Sequence, residues 1–326
     1  MHDIVIHVHY PLGRGRLTVR TEADWDVDIE GEETSDGARF SFQTAKPWIY
    51  FKPCLHVEGQ VHWVPGINRL AGPTPGGRHV YPAFLSPTRG SLGAVEELGG
   101  LHVRVYLPAG YDENPLCYYP VVYMHDAANL FLPGEAFSGS EWGVDECLDR
   151  LDEINVIDEA IVVGVYAGDR QAAYTNPGYV AFAKRCAVDL RAAVDARYRT
   201  LRHPRKTVVM GSSLGGVVAL YMAWTWPDAF GGAGCLSPTF GVMDDLFERV
   251  RHEPLPNIRV YLDSGWPNDN FDRTVAMRDL LLQKGMARHS DLLHLVFPDA
   301  RHDEGSWAAR LHIPFQWFFA RAPDVS

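Results

Sequence analysis

The sequence predicts an α/β fold preceded by a small all-β sandwich, because two different patterns follow one another along the 326 residues. In the first part, residues 1–70, short segments alternate apolar and polar side chains with a period of two, which is typical of antiparallel strands. Beyond residue 95, short segments that are apolar throughout alternate with amphipathic helical segments, which indicates a mostly parallel sheet covered by helices on both faces.

The predicted sandwich ends near residue 70, and residues 71–94 are predicted to be a linker or a strap over the second domain. The strand-like segments of the sandwich are residues 4–10, 16–20, 38–42, 48–51 and 61–64. Prolines at 73, 75, 82 and 87 disfavour regular pairing in the linker. Trp25, Trp48 and Trp63 could stack on sugar rings or form the sandwich core, and we favour the core.

The second predicted domain, residues 95–326, alternates strands and helices. Its strand-like segments are residues 101–107, 119–125, 160–166, 206–211, 232–236, 258–263 and 292–297, and its helical segments include 141–152, 179–198, 215–226 and 273–284. In the first of these helices, apolar residues recur at i, i+3, i+4 and i+7 from Val144 to Leu151. This spacing places one apolar face against a sheet.

Composition and charge exclude several classes of function. The net charge of -11 argues against nucleic acid as a partner, because such binding depends on clustered Lys and Arg. No apolar run is long enough to span a bilayer, and residues 1–20 lack the apolar core of a signal peptide, so we expect a cytoplasmic protein with no membrane partner. The five cysteines show no CxxC pairing and are expected to be buried apolar side chains.

The strongest local motif is Gly211-Ser212-Ser213-Leu214-Gly215, which follows a β-branched strand and opens an apolar helix. This is the strand-turn-helix context of the GxSxG nucleophile elbow. Glycines two residues away on either side leave room for a strained backbone at the central residue. Ser213 is therefore the predicted nucleophile, against the alternative of a tight turn that only packs a helix on a strand.

A serine hydroxyl needs a base and an orienting carboxylate, which should follow it in the order Ser, Asp, His. The base should lie in a loop after a terminal strand, and among the histidines after Ser213 only His302 does so. Two candidates exist for the acid. Asp263 belongs to the end of a strand, whereas Asp269 lies in the loop beyond it, so we favour Asp269.

An oxyanion hole would use the backbone N–H of Leu214 and one from the loop after residues 119–125, for which we predict Ala127. The adjacent pair His125-Asp126 resembles two metal ligands. No third ligand follows at helical spacing, so we predict no metal site.

Several of these motifs together resemble the esterase D and enterochelin-esterase-like branch of the α/β hydrolases. They are YPVVYMHDAANLF at 119–131, SEWGVDECLDRL at 140–151, GDRQAAYTNPGY at 168–179, GSSLGG at 211–216 and DARH at 299–302. The resemblance covers residues 101–319 and implies an α/β-hydrolase fold and a serine esterase that needs no cofactor. It also implies an acid at Asp269. The family usually carries glycine where this chain has Ala127.

The resemblance further implies that Arg170 and Tyr174 line the cleft as substrate-binding residues, although an ion pair and a packing tyrosine remain alternatives. Trp142, Trp266 and Tyr174 near the expected strand ends favour an aromatic-lined cleft for a small-molecule or carbohydrate ester, for example a phenolic ester. The N-terminal part is similar to carbohydrate-binding modules, and an arm over the cleft or a homodimer contact is equally compatible. An acyltransferase using the same three residues and a catalytically inactive carbohydrate-binding protein are the rival functions.

Overall fold

The N-terminal part is a sandwich of two small sheets in the computed structural model, which describes residues 1–321. Its strands are β1 (His2–His9), β2 (Arg16–Thr21), β3 (Asp24–Glu30), β4 (Glu32–Thr34), β5 (Gly37–Thr44), β6 (Ile49–Val57), β7 (Gln60–Trp63), β8 (Arg69–Ala71) and β9 (Arg78–Val80). One sheet has the order β4-β5-β1-β9, and the other has the order β3-β2-β6-β7 with β8 paired to β6. The strand β9 thus lies within the stretch predicted as linker, and β8 ends at its first residue.

The sandwich core is formed by the apolar positions of the alternating pattern. Ile4, Ile6 and Val8 on β1 pack against Val19 and Phe51 from the other sheet, and all five are buried. The three tryptophans, which we expected in this core, instead lie partly exposed outside it, with Trp25 and Trp63 in ring contact at 6.3 Å. The aliphatic and phenylalanine side chains already fill the space between the sheets, so the larger indoles remain outside.

The second part contains a nine-stranded mixed sheet. Its strands are β10 (Ser91–Leu92), β11 (Glu96–Leu98), β12 (Leu101–Leu107), β13 (Val121–His125), β14 (Ile161–Val165), β15 (Thr207–Ser212), β16 (Gly232–Leu236), β17 (Arg259–Trp266) and β18 (Leu292–Pro298). The order is β10-β12-β14-β13-β15-β16-β17-β18, with β11 also paired to β12. The strands from β14 to β18 run parallel, and β12 pairs antiparallel to β14.

Helices cover both faces of this sheet. They are α1 (Val144–Glu153), α2 (Arg170–Tyr174), α3 (Gly178–Arg185), α4 (Arg191–Arg197), α5 (Leu214–Thr225), α6 (Leu246–His252), α7 (Phe271–Lys284), α8 (Glu304–Arg310) and α9 (His312–Phe319). Alternate residues of β13 enter different cores: Val121 and Tyr123 belong to one cluster, and Val122 and Met124 to the other. A strand buried on both faces must be apolar throughout, so the continuous apolar runs are explained.

The expected fold class, an all-β sandwich followed by a mostly parallel sheet with helices on both faces, is confirmed by this architecture. The predicted helix at 179–198 is observed as α3 and α4 joined by a turn of π-helix at residues 186–190. The short helices α2 and α6 were not predicted, since five and seven residues are too few to show helical periodicity.

A buried carboxylate joins the sandwich, the strap and the second part. Glu113, in the loop after β12, accepts hydrogen bonds from the backbone N–H groups of Phe84, Leu85 and Ser86 at 2.7, 3.0 and 2.6 Å. It also accepts one from the hydroxyl of Tyr10 at 2.8 Å. Burial by itself raises the pKa of Glu113, but these donors outweigh it and hold the pKa below its ordinary value.

We predict that Glu113→Gln lowers the free energy of unfolding by about 1–3 kcal/mol at pH 7, because one amide oxygen cannot replace two charged acceptors for buried N–H groups. A carboxyl group with a depressed folded-state pKa stabilises the protein above its unfolded-state pKa, and this stabilisation is lost as the pH falls through the folded-state value. The difference from wild type should therefore shrink in acid. Urea denaturation at pH 7 and pH 4 measures both effects.

The exposed Glu97, whose side chain forms no hydrogen bond or ion pair among residues 1–321, provides the control. Glu97→Gln should unfold at the wild-type urea midpoint at both pH values. A Glu113→Gln midpoint equal to that of Glu97→Gln would contradict the role of Glu113 in joining the sandwich to the second part.

Candidate active site

Ser213 lies at the turn between β15 and α5 with a strained backbone, φ 54° and ψ -122°. Such conformations cost about 1–3 kcal/mol and persist where the surroundings enforce them. The flanking glycines lie in close contacts. A Cβ on Gly211 would lie 2.8 Å from the carbonyl carbon of Gly215, which excludes a side chain there, and a Cβ on Gly215 would lie 3.3 Å from the Cβ of His125. The sequence pattern thus reflects packing of the helix start on the strand end.

His302 lies in the loop between β18 and α8, as the sequence predicts, and faces Ser213. Its Nε2 is 2.9 Å from the Ser213 Oγ, and its Nδ1 is 2.6 Å from Oδ1 of Asp269. A carboxylate at Nδ1 keeps the proton on that nitrogen and leaves Nε2 free to accept one. The edge of the imidazole packs on Trp307 at a centroid distance of 5.0 Å, which fixes the plane of the ring.

Asp269 is 1% exposed and its carboxylate is saturated with donors. Its Oδ2 accepts hydrogen bonds from the Ser237 hydroxyl at 2.5 Å and from the Gly265 N–H at 2.7 Å. Burial raises the pKa of this carboxyl, but the hydrogen bonds from His302, Ser237 and Gly265 outweigh burial and hold it below its ordinary value. Asp269 therefore stays ionised beside the imidazole.

Asp263, the second candidate for the acid, has a different partner. The sequence places it at a strand end, but β17 continues to Trp266, so Asp263 is fully buried within the strand. It binds the guanidinium of Arg310 through both oxygens, at 3.0 and 2.9 Å. It also accepts a hydrogen bond from the Tyr261 hydroxyl at 2.8 Å. Burial raises the pKa of Asp263, and Arg310 opposes that rise. The two carboxylates thus occupy separate environments, and only Asp269 contacts His302.

Ser237 connects these two carboxylates and was not predicted from the sequence. Its hydroxyl donates to Asp269 and accepts hydrogen bonds from Trp307 Nε1 at 2.9 Å and Arg310 Nη2 at 2.6 Å. Its backbone N–H is 3.1 Å from an oxygen of Asp263. A lone serine carries no motif, but its place directly after β16, at the edge where parallel strands end, was a signal that could have found it.

The two predicted oxyanion donors each begin a helical segment. Leu214 is the first residue of α5, and Ala127 is the buried first residue of a 3₁₀ turn that follows β13. Within residues 1–321, neither backbone N–H donates a hydrogen bond to a protein acceptor. Both groups therefore remain available to an oxygen from outside the protein.

Arg170 and Tyr174, predicted as substrate-binding residues, contact the protein itself. The Arg170 guanidinium forms two hydrogen bonds with Asp126, at 2.8 and 3.0 Å. Tyr174 is fully buried, and its hydroxyl accepts a hydrogen bond from the Asp126 N–H at 3.2 Å. These contacts correspond to the alternatives stated above: Arg170 forms an ion pair, and Tyr174 is a buried packing residue.

The predicted aromatic lining is only partly at the surface. Trp142 is 3% exposed and packs on Trp307 at a centroid distance of 5.7 Å, beneath the His302 ring. Trp266, at the end of β17, is 49% exposed. Trp142 therefore supports the site from below, and Trp266 is accessible to a ligand.

His125 is buried between Tyr174 and Phe182, at centroid distances of 5.2 and 5.6 Å. Burial, together with Arg170, lowers the pKa of His125 to about 3, so the ring is neutral. In the described part of the chain, no three His, Cys, Asp or Glu side chains are grouped to hold a metal ion. The same residues include no helix long and apolar enough to cross a membrane.

Comparison with known families gives one match that spans most of the second part. The model of the family described as "Putative esterase" matches residues 99–315. No curated protein sequence matches the chain.

Solved structures with the same fold include esterases of two kinds. A ferulic acid esterase aligns with TM-score 0.56 and 17% identity, covering 71% of this chain and 98% of its own. The enterobactin esterase from Shigella flexneri aligns with TM-score 0.55 and 15% identity, covering 93% and 88%. A ferulic acid esterase from Anaeromyces mucronatus, in complex with ferulic acid, aligns with TM-score 0.54 and 21% identity, covering 70% and 89%.

We predict that Asp263→Asn lowers the free energy of unfolding by about 3 kcal/mol or more, because it leaves the buried guanidinium of Arg310 without its closest counter-charge. Urea denaturation measures the change. The exposed Asp228, whose side chain forms no hydrogen bond or ion pair within residues 1–321, gives the matched variant Asp228→Asn, expected to unfold like wild type. Equal midpoints for the two variants would show that the pair contributes nothing to stability.

Proposed function

The chain belongs to this esterase family and is a serine esterase of the α/β-hydrolase type, and we propose that Ser213, His302 and Asp269 are its catalytic triad. The observation that carries the proposal is the continuous chain of hydrogen bonds from Ser213 Oγ through both nitrogens of His302 to Asp269. This is the arrangement that makes a serine hydroxyl nucleophilic at neutral pH.

The proposed reaction proceeds through an acyl-enzyme. Ser213 Oγ attacks the ester carbonyl carbon while its proton moves to Nε2 of His302, and the carbonyl oxygen becomes an oxyanion. The N–H groups of Leu214 and Ala127 donate hydrogen bonds to that oxyanion. Collapse of the intermediate breaks the ester C–O bond, and the leaving alcohol takes the proton from His302.

In the second half of the reaction, His302 removes a proton from water, which attacks the acyl carbon. The second tetrahedral intermediate releases the carboxylic acid and returns the proton to Ser213 Oγ. Asp269 stays ionised throughout, because its hydrogen bonds hold its pKa low, and it stabilises the imidazolium formed in both halves.

Ester hydrolysis should fall by about 10⁴-fold or more in Ser213→Ala, because no other group can form the acyl-enzyme. The kcat for p-nitrophenyl acetate and covalent labelling by a fluorophosphonate measure this, and the variant should not be labelled. Asp269→Asn should lose about 10⁴-fold in kcat, since an amide fails to hold the required tautomer of His302.

Ser212→Ala provides the control for the nucleophile, since Ser212 is the buried neighbour at the end of β15. It should keep the fluorophosphonate label. A Ser213→Ala variant with wild-type turnover would remove Ser213 from the mechanism. Loss of turnover in folded Asp263→Asn but not in Asp269→Asn would identify the other carboxylate as the acid.

For the substrate, we propose a small-molecule ester with an aromatic acyl group, such as a phenolic acid. Trp266 lies three residues before Asp269 in the chain and is half-exposed. Phe137 is 93% exposed, and its N–H donates to Asn129, whose amide in turn donates to Glu304, two residues after His302 in the chain. These two accessible rings are the stacking surfaces that we propose for the substrate. The relative from Anaeromyces mucronatus is seen with ferulic acid.

We expect kcat/KM for a feruloyl ester to exceed that for the matching acetyl ester by about tenfold or more, a typical effect of one apolar contact surface. Trp266→Ala should reduce that ratio because it removes a stacking surface. A panel of acetyl, feruloyl and longer aliphatic esters of one alcohol measures the ratio. Trp48→Ala, in the sandwich, is the control, and a ratio equally unaffected by both variants would refute the aromatic acyl site.

A further inference from the structure

Three contacts converge on Asp126, the residue between β13 and Ala127. Two are the hydrogen bonds of its carboxylate with Arg170, at 2.8 and 3.0 Å. The third is the hydrogen bond from its backbone N–H to the buried Tyr174 hydroxyl at 3.2 Å. The guanidinium also lies over the Tyr174 ring, 5.3 Å from its centroid. Side chain and backbone of one residue are thus held from the same helix, α2.

The backbone of Asp126 is in the left-handed region, φ 60° and ψ 51°, which residues with a Cβ rarely adopt. Its ψ angle fixes the plane of the peptide bond that follows, and the N–H of that peptide belongs to Ala127. The carbonyl of Asp126 accepts a hydrogen bond from the Asn129 N–H at 2.9 Å, which closes the turn. Whatever holds Asp126 in this conformation therefore also orients the Ala127 N–H.

The same carboxylate lies against the start of α5. A Cβ placed on Gly215 would be 3.3 Å from Oδ2 of Asp126 and 3.3 Å from the Cβ of His125. Gly215 directly follows Leu214, which carries the other proposed oxyanion donor. Asp126 is therefore in contact with both segments that supply the oxyanion hole.

We propose that Arg170 is a positioning residue, which holds Asp126 in the left-handed conformation and so sets the Ala127 N–H against that of Leu214. This inference rests on the proposed function, since it assumes that these two N–H groups bind the oxyanion. It differs from the substrate-binding role predicted from the sequence. A substrate contact at Arg170 would act on KM, whereas an oriented N–H acts where negative charge develops and so on kcat.

The test compares Arg170→Met, Arg170→Lys, Asp126→Asn and the double variant Arg170→Met/Asp126→Asn on p-nitrophenyl acetate. We expect Arg170→Met to lower kcat by about tenfold to a hundredfold with KM within about threefold of wild type, less than the loss of a whole oxyanion donor. Arg170→Lys should recover only part of kcat, because an ammonium cannot make both hydrogen bonds. The double variant should be no slower than the slower single variant.

A second measurement is the affinity for a trifluoromethyl ketone, which forms a tetrahedral adduct with an oxyanion. In Arg170→Met, its inhibition constant should rise by the same factor by which kcat falls. Arg20→Met is the matched control, because Arg20 also pairs with a carboxylate, Asp28 at 2.7 Å, and lies over a ring, Trp63 at 5.0 Å, but in the sandwich. It should leave kcat and the inhibition constant unchanged.

Fluorophosphonate labelling of the wild-type enzyme separates this inference from the proposed function. An unlabelled Ser213 would overturn the proposed function, and the positioning role with it. With Ser213 labelled, an increase in KM alone for Arg170→Met, or fully additive losses in the double variant, would overturn the positioning role only. Circular dichroism identifies a misfolded variant, in which case the Arg170→Lys result decides between kcat and KM.

Discussion

Two buried carboxylates share one buried guanidinium, and the geometry of the site depends on how they divide it. Arg310 is 3% exposed and lies 2.9 Å from Asp263 but 3.6 Å from Asp269. An unpaired buried charge is so costly that the group usually becomes neutral. Here Asp263 takes the guanidinium, and Asp269 is stabilised by neutral donors and the imidazole. Burial raises the pKa of both carboxyls, but it outweighs the effect of Arg310 at Asp263, whereas the hydrogen bonds outweigh burial at Asp269. Asp263 thus pairs with Arg310, and Asp269 contacts the imidazole.

Ser237 makes this division specific. Its hydroxyl donates its one hydrogen bond to Asp269 and accepts hydrogen bonds from Arg310 and Trp307. Trp307 in turn packs against the edge of His302. Asp269 and Trp307, which both contact the imidazole, are therefore each held by a hydrogen bond to the buried Ser237 hydroxyl. The hydrogen bonds to Ser213 and Asp269 do not depend on loop conformation alone, although the ring itself lies at the surface.

The main parts of the site could be predicted from the sequence because each has a local signature. Ser213 has the glycine pattern of a strand-turn-helix, and His302 and Asp269 follow strands whose ends meet at one edge of the sheet. Ser237 has only its position after β16 as a signal, and Arg310 has none, because their roles arise only when the end of β16 and α8 come together. The sequence indicated Arg170 as a substrate-binding residue, but it could not show that the guanidinium of Arg170 would form its hydrogen bonds with Asp126.

The fold was predictable to a similar degree, for the same reason. Strands that are apolar throughout, such as β13 and β15, can be recognised from the sequence. The strands β8 and β9 have only three residues each and lie among prolines and glycines, so they show no such pattern. The sandwich tryptophans were assigned to the core by their size alone. Their exposure follows from which face of each strand they occupy, and that depends on a register which short strands define weakly.

The hydrogen bonds that join the two parts of the chain at Glu113 constrain how such a chain can evolve. Because its oxygens receive three N–H groups from the strap and a hydroxyl from the sandwich, the two halves share one desolvated anion. Neighbouring Asn114 reaches across as well, donating to the carbonyls of His9 and Pro82. Recombination that exchanged the front module for an unrelated one would take the Tyr10 hydroxyl away from Glu113 and the His9 carbonyl away from Asn114. The junction thus favours inheritance of both halves as a unit, with variation confined to surfaces that do not touch it.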